Sequence, residues 1–171
     1  MTGDTTRMAV FGASGTGKTT YALAAAHKLD RLVAFDPEEE FARLPRMQAY
    51  EGAGGLVGLL SALDDNWDGT FRLAFVPDPG REEAQLHEVA KLVEAIGGAY
   101  KAGRLDRGLS LVVDELNLGY PISAQPKYDG FARLCSRGRK RGVHIIGVSQ
   151  RPAEVNTRFR NNCNAGAFFG V

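Results

Sequence analysis

The chain has 171 residues, 44% of them hydrophobic and 24% charged, and a formal net charge of +1. This is the size and composition of one α/β domain with a true hydrophobic core, not of a disordered or fibrous chain. No apolar run approaches the length that spans a bilayer, and the N-terminus, MTGDTTRMAVFG, lacks the charged-then-apolar layout of a secretion signal. A protein with no membrane segment of its own, working in a cytoplasm, is expected.

The elements alternate along the chain. TRMAVFG reads as a short strand, KTTYALAAAHKLD as a helix, and RLVAFDP as a second strand closed by Pro37. EEEFARL is expected as a short helix with acids at its N-terminal end. GLVGLLSALDDN is a further helix and FRLAFVP a strand, again closed by a proline. REEAQLHEVAKLVEAIGGAYK has the clearest amphipathic period, with Leu86, Val89, Ala90, Val93, Ile96 and Tyr100 on one face. LSLVVDEL is a buried strand, YDGFARLCSRGRKR a helix with a basic end, VHIIGVS a buried strand and AGAFFGV a last one. Strands that alternate with helices and read as continuous apolar runs predict a mainly parallel sheet covered on both faces, in a single domain over 1–171.

Charge is unevenly spread. Residues 1–130 carry 13 basic and 19 acidic residues, whereas residues 131–171 carry eight basic residues and one acid, Glu154. A concentrated basic tail suggests contact with a polyanion or with phosphate on a neighbouring subunit; a solvated face that balances the acidic front is the plainer reading. Cys135 and Cys163 have no metal-ligand spacing and read as free thiols of a reducing compartment. His27, His87 and His144 are scattered over predicted helices and strands, where packing or surface roles are expected.

GASGTGKTT, from Gly12 to Thr20, fits G-x-x-x-x-G-K-[ST], directly after a strand and opening a helix. Gly12, Gly15 and Gly17 let the backbone curl so that the amides of Ala13, Ser14, Thr16 and their neighbours face a phosphate chain. The following helix points its positive end at the same anion. Lys18 is expected to reach the β- and γ-phosphates of ATP, the Thr19 hydroxyl to bind Mg²⁺, and Thr20 to close the nucleotide-binding loop. LSLVVDE then supplies Asp114 as a metal-binding acid and Glu115 as the group that polarises an attacking water. An N-K-x-D base-reading motif and an L-S-G-G-Q stretch are both absent, which disfavours a GTPase and a transport cassette. A water-activating glutamate suits hydrolysis better than small-molecule phosphoryl transfer. Strand ends in a parallel sheet line the ligand crevice. VHIIGVS therefore brings Gln150 to the same edge as Gly12 and Asp114, where an amide can sense the γ-phosphate.

The P-loop, VVDE, RGRKRGVHIIGVSQRPAEV and the trailing NNCN together resemble the FtsK–HerA superfamily of DNA-pumping ATPases, most specifically over 131–165; FDPEEEF is similar to the ending of strand two in the HerA branch. The resemblance implies a three-layer, RecA-like α/β core with strand order 5-1-4-3-2, hexameric rings, ATP between subunits and double-stranded DNA as the moved polymer. It matches Lys18, Thr19, Asp114 and Glu115 to the nucleotide machinery and Gln150 to the polar sensor. It also implies an arginine acting on the neighbouring subunit's nucleotide, with Arg139 first, Arg137 second, and Arg158 or Arg160 after them. The chain is shorter than most members, which suits a viral genome-packaging ATPase working in host cytoplasm or at a virion vertex, with capsid or membrane-vertex proteins as partners. Alternatives are a phage assembly or secretion ATPase, a small-molecule P-loop kinase with an arginine-bearing lid, and a non-catalytic nucleotide-binding subunit. NLGYPISAQPKYDG is either a pore-facing loop touching DNA through Tyr120 and Lys127 or a plain surface loop.

Overall fold

The computed structural model describes residues 5–26 and 30–170. Seven strands form one sheet in which every pairing is parallel: β1 (Arg7–Gly12), β2 (Arg31–Phe35), β3 (Gln48–Glu51), β4 (Phe71–Val76), β5 (Leu109–Val113), β6 (Val143–Ser149) and β7 (Ala165–Phe169). Their order is β3-β4-β2-β5-β6-β1-β7. The segment β7-β1-β6-β5-β2 is the expected 5-1-4-3-2 arrangement, with β4 and β3 added beyond β2. Six α-helices connect the strands: α1 (Lys18–Ala26), α2 (Gly52–Asp65), α3 (Glu82–Lys101), α4 (Leu116–Gly119), α5 (Gly130–Arg137) and α6 (Thr157–Asn162).

Period-two alternation sorts the strand residues onto two cores. Ala9, Phe11, Val33, Phe35, Leu111 and Val113 face α2, α3 and α5. Val10, Leu32, Ala34, Val112, Ile146 and Val148 face α1 and the segment after β2. With both faces covered, the inner strands have no solvent side, and so they read as apolar runs rather than alternating ones. Leu86, Val89, Ala90 and Val93 of α3 are all buried in the first core, as the helical period predicts. Arg31, at the mouth of β2, is 1% exposed and donates to the carbonyls of Gly69 and Trp67, which ties β2 to the α2–β4 turn.

The structure departs from the sequence reading in several places. EEEFARL is not a helix but a series of turns. The buried Asp36 carboxylate accepts from the backbone N–H groups of Glu40 (2.9 Å) and Ala42 (2.8 Å), and Glu39 has φ 56°; side-chain capture of amides and a left-handed residue both oppose a helix here. The helix expected through Arg141 stops at Arg137, tightens into a 3₁₀ turn over Gly138–Arg141 and reverses at Gly142, φ 67°. A Cβ at Gly142 would lie 2.8 Å from the Tyr100 ring, so glycine is required twice over. β3, α4 and α6 have no counterpart in the sequence reading, because each is too short for a period to register, and the strand expected over LSLVVDEL ends at Val113, with Leu116 opening α4 after the left-handed Glu115. His27 and Leu29, placed in the first helix from sequence, lie outside the described residues. Among the described residues, no helix is long and apolar enough to cross a membrane.

Candidate nucleotide site

The C-terminal ends of β1, β5 and β6 meet at one edge of the sheet, as parallel pairing requires. A cavity of about 300 Å³ opens there, lined by Ser14, Gly15, Gly17, Lys18, Thr19, Glu38, Glu40, Asp114, Glu115 and Gln150. The loop after β1 turns through Gly15 at φ 73° and Gly17 at φ 90°, conformations that cost a side-chain-bearing residue strain. Its geometry is braced by the Thr16 hydroxyl donating to the Ala13 carbonyl at 2.7 Å. Lys18 is buried, and its Nζ also donates to the Ala13 carbonyl. Gly12 abuts β7: a Cβ there would come within 2.1 Å of the Phe169 carbonyl oxygen. Thr20 is exposed on the outer side of α1.

Asp114 follows β5 and is anchored by its N–H donating to the Phe35 carbonyl at 2.9 Å. Burial pushes its carboxyl up to about 7. The Glu115 amide opposes that rise, and the charges of Glu115, Glu40 and Asp36 add to it. The next residue, Glu115, sits at φ 44°, ψ 53°, immediately before α4. A left-handed non-glycine residue stores strain of about 1–3 kcal/mol, and here it turns the side chain into the cleft. Gln150 Nε2 donates to Glu115 Oε1 at 3.0 Å, so the tip of β6 holds the acid at the tip of β5. Behind this pair the buried Ser149 hydroxyl donates to Asn117 Oδ1 at 2.8 Å and accepts from the Arg151 N–H at 2.9 Å.

The structure thus brings Gly12, Lys18, Thr19, Asp114, Glu115 and Gln150 to one edge. It does not bring the arginines there: Arg137, Arg139, Arg158 and Arg160 are exposed, and none lines the cavity. Arg137 and Arg139 lie just before β6, at the opposite end of that strand from Gln150. Arg141 is paired with Glu94 at 3.6 Å. Tyr120 is not free to touch DNA. It is 5% exposed and packs edge-on against Phe131 at 5.3 Å, because the loop after α4 is fastened down by the Pro121–Val155 bridge. Lys127 is exposed and lies over the Tyr128 ring at 4.9 Å. His87 and His144 accept the backbone N–H groups of Gly130 and Thr6, which are packing roles. Both cysteines are free thiols, and burial raises Cys135 to about 12 and Cys163 to about 11.

Sequence reasoning assigned no site role to Asp36, Glu38, Glu40, Ser149 or Asn117. The first three had a signal: an acidic run directly after a strand in a parallel sheet falls on the ligand edge. Ser149 and Asn117 had none, since a small polar residue at a strand end is commonplace.

The residues present fit a nucleoside triphosphate with Mg²⁺. The curled loop and the start of α1 form an anion cradle. The oxygens of Thr19 and Asp114 are hard donors, and among the described residues no group of three or more His, Cys, Asp or Glu forms a protein-only cage. That pattern suits an ion held mostly by phosphate and water.

Fold and cleft together define a P-loop NTPase core. Known proteins agree in architecture. The genome packaging NTPase B204 of Sulfolobus turreted icosahedral virus 2, solved with ATP-gammaS, superposes with a TM-score of 0.64 at 12% identity, covering 93% of this chain and 72% of that one. The N-terminal domain of zonular occludens toxin from Neisseria meningitidis gives 0.51 at 17% identity, covering 94% and 74%. EssC ATPases 2 and 3 from Geobacillus thermodenitrificans give 0.55 at 12%, covering 96% and 32%. In sequence, the chain is 27% identical over 157 residues to Protein P9 of Pseudoalteromonas phage PM2. The match takes in 91% of this chain and 64% of that protein, so the chain spans under two thirds of the relative's length. No protein-family model matches.

Proposed function

We propose that this chain is the ATP-hydrolysing core of a DNA-packaging motor. The observation that carries the reading is the Gln150–Glu115 hydrogen bond at the mouth of a P-loop cleft. A glutamate aimed into the cleft suits activation of water, and an amide that holds it suits release when a γ-phosphate competes for the same donor. Lys18 and the amides of residues 13–19 bind and orient the phosphates. Thr19 and Asp114 would hold Mg²⁺, which would neutralise charge developing on the phosphate oxygens. Glu115 takes the proton of the attacking water. Gln150 then reports whether the γ-phosphate is present by choosing between it and Glu115.

The moved polymer and the ring are part of the same proposal. Similarity to a packaging NTPase and to a phage protein favours DNA, and the basic segment around Arg137 and Arg139 supplies cations at the far edge of the sheet. That placement disfavours the kinase reading: a segment at the opposite end of β6 makes no lid over its own nucleotide. It suits an arginine, Arg139 first, that reaches a neighbour's nucleotide in a hexameric ring of identical subunits. The EssC and zonular occludens toxin structures share the fold, which keeps an assembly or secretion ATPase as the second reading.

The test is the ATPase rate with and without double-stranded DNA, alongside a mass measurement in ATP. Stimulation by DNA together with a ring-sized particle is expected. A rate indifferent to DNA, with a monomer in ATP, rejects the motor.

A further inference from the structure

Glu40 has no part in the mechanism above, yet its Oε2 accepts the Thr19 hydroxyl at 2.5 Å. We propose that Glu40 is a positioning carboxylate of the metal site. By holding the Thr19 hydroxyl hydrogen it turns the oxygen's lone pairs toward the cleft and so sets the affinity of the nucleotide-bound chain for a divalent cation. The proposal rests on the P-loop reading of the cleft.

A threonine hydroxyl has one hydrogen and two lone pairs and rotates freely until a partner fixes it. Metal coordination needs a lone pair, so an acceptor for the hydrogen orients the ligand without competing with the metal. A carboxylate acceptor also makes the oxygen more electron-rich, and partners of this kind tune metal affinity by about 10–100-fold. Glu40 is suited to the task by its support. Its own N–H donates to Asp36, which is 0% exposed at the end of β2, and the adjacent Phe41, also 0% exposed, is sunk in the second core. An exposed carboxylate is thereby delivered from a rigid anchor. Asp114 reaches the same cleft from a different strand, so the two acids are supplied independently. Because the single Thr19 hydrogen goes to Glu40, Glu38, which lines the cleft as well, contributes charge without this geometry.

The experiment is a titration of the whole chain with a fluorescent ATP analogue in EDTA, then with Mg²⁺ at saturating analogue. Glu40→Gln and Glu40→Ala are expected to bind the analogue in EDTA at least as tightly as the parent. Glu40→Ala should need about 10–100-fold more Mg²⁺ for the metal-dependent signal, and Glu40→Gln, whose amide oxygen still accepts the Thr19 hydrogen but without the charge, an amount between that and the parent's. Glu38→Gln, which removes a neighbouring charge only, should keep the parent's Mg²⁺ midpoint. An unchanged midpoint in Glu40→Ala overturns the proposal, as does an equal loss in Glu38→Gln, which makes the effect one of net charge. If the parent binds no analogue in either condition, the nucleotide-site reading itself fails and takes this proposal with it.

Discussion

At the scale of single residues, the adjacent acids Asp114 and Glu115 are set apart by their surroundings. Asp114 is 4% exposed at the end of β5, whereas Glu115 is half-buried and held by Gln150. Glu115→Gln should therefore still bind ATP while its turnover falls by about 100–10,000-fold, the usual worth of a general base; a single-turnover assay beside a binding titration separates the two effects. Asp114 gives a pH dependence of stability. Its folded carboxyl titrates near 7 instead of the ordinary 3.8, so between those values the folded chain binds more protons than the unfolded one, and stability falls as pH rises through that window. Replacing the acid with a neutral amide removes the cost of burying a charge. In the absence of nucleotide and metal, Asp114→Asn should raise the melting temperature at pH 8 and change it little at pH 5. Thermal melts at the two pH values check this, and an equal shift at both would contradict it.

At the scale of elements, β6 is fitted between α4 and α6 with no room to spare. A Cβ on Gly147 would lie 2.5 Å from Leu116 Cδ2 and 2.6 Å from Phe159 Cζ. Gly147→Ala should cost about 1–3 kcal/mol through overpacking, seen as a lower denaturation midpoint with an unchanged slope. Because Leu116 directly follows Glu115, the variant should also weaken hydrolysis more than nucleotide binding. How far the sequence foretold these elements depended on whether each carried a long-range pattern. The core strands were legible because burial on two faces leaves apolar runs, and α3 was legible because its 20 residues hold a full helical period. The segment after β2 was misread because its acids suit a helix N-terminus by composition, while its true organiser is a buried Asp36 whose burial only the fold creates. In the site, Lys18, Thr19, Asp114 and Glu115 came from motif spacing and Gln150 from its strand-end position. Glu40 escaped because its contact with Thr19 spans two elements and leaves no spacing rule behind.

At the scale of the whole molecule, an acidic cluster and a basic cluster lie at opposite ends of β6. Glu38, Glu40 and Glu115 gather where the strands end, while Lys101, Arg137, Lys140 and Arg141 surround a separate hollow near the start of β6. In the proposed ring, head-to-tail stacking would bring these unlike ends together, the kind of heterologous contact from which closed rings are built. Mixing Arg139→Ala subunits with Lys18→Ala subunits tests it. Each variant alone should be nearly inactive, and mixtures should regain activity where an intact Lys18 meets an intact Arg139 across an interface. Mixtures that never exceed either parent would place the arginine elsewhere.

The position of β6 has a mechanical consequence. The strand is flanked on both sides by hydrogen-bonded neighbours, β5 and β1, and its seven residues span roughly 23 Å at about 3.3 Å each. A rod so clamped neither stretches nor bends cheaply. Gln150 at one end of this rod and Gly142 at the other are thus held at a fixed separation, with the cations of Gly138–Arg141 directly beyond. On the proposed motor reading, β6 would serve as a fixed-length pushrod between the phosphate-sensing amide at its tip and the cations at its other end.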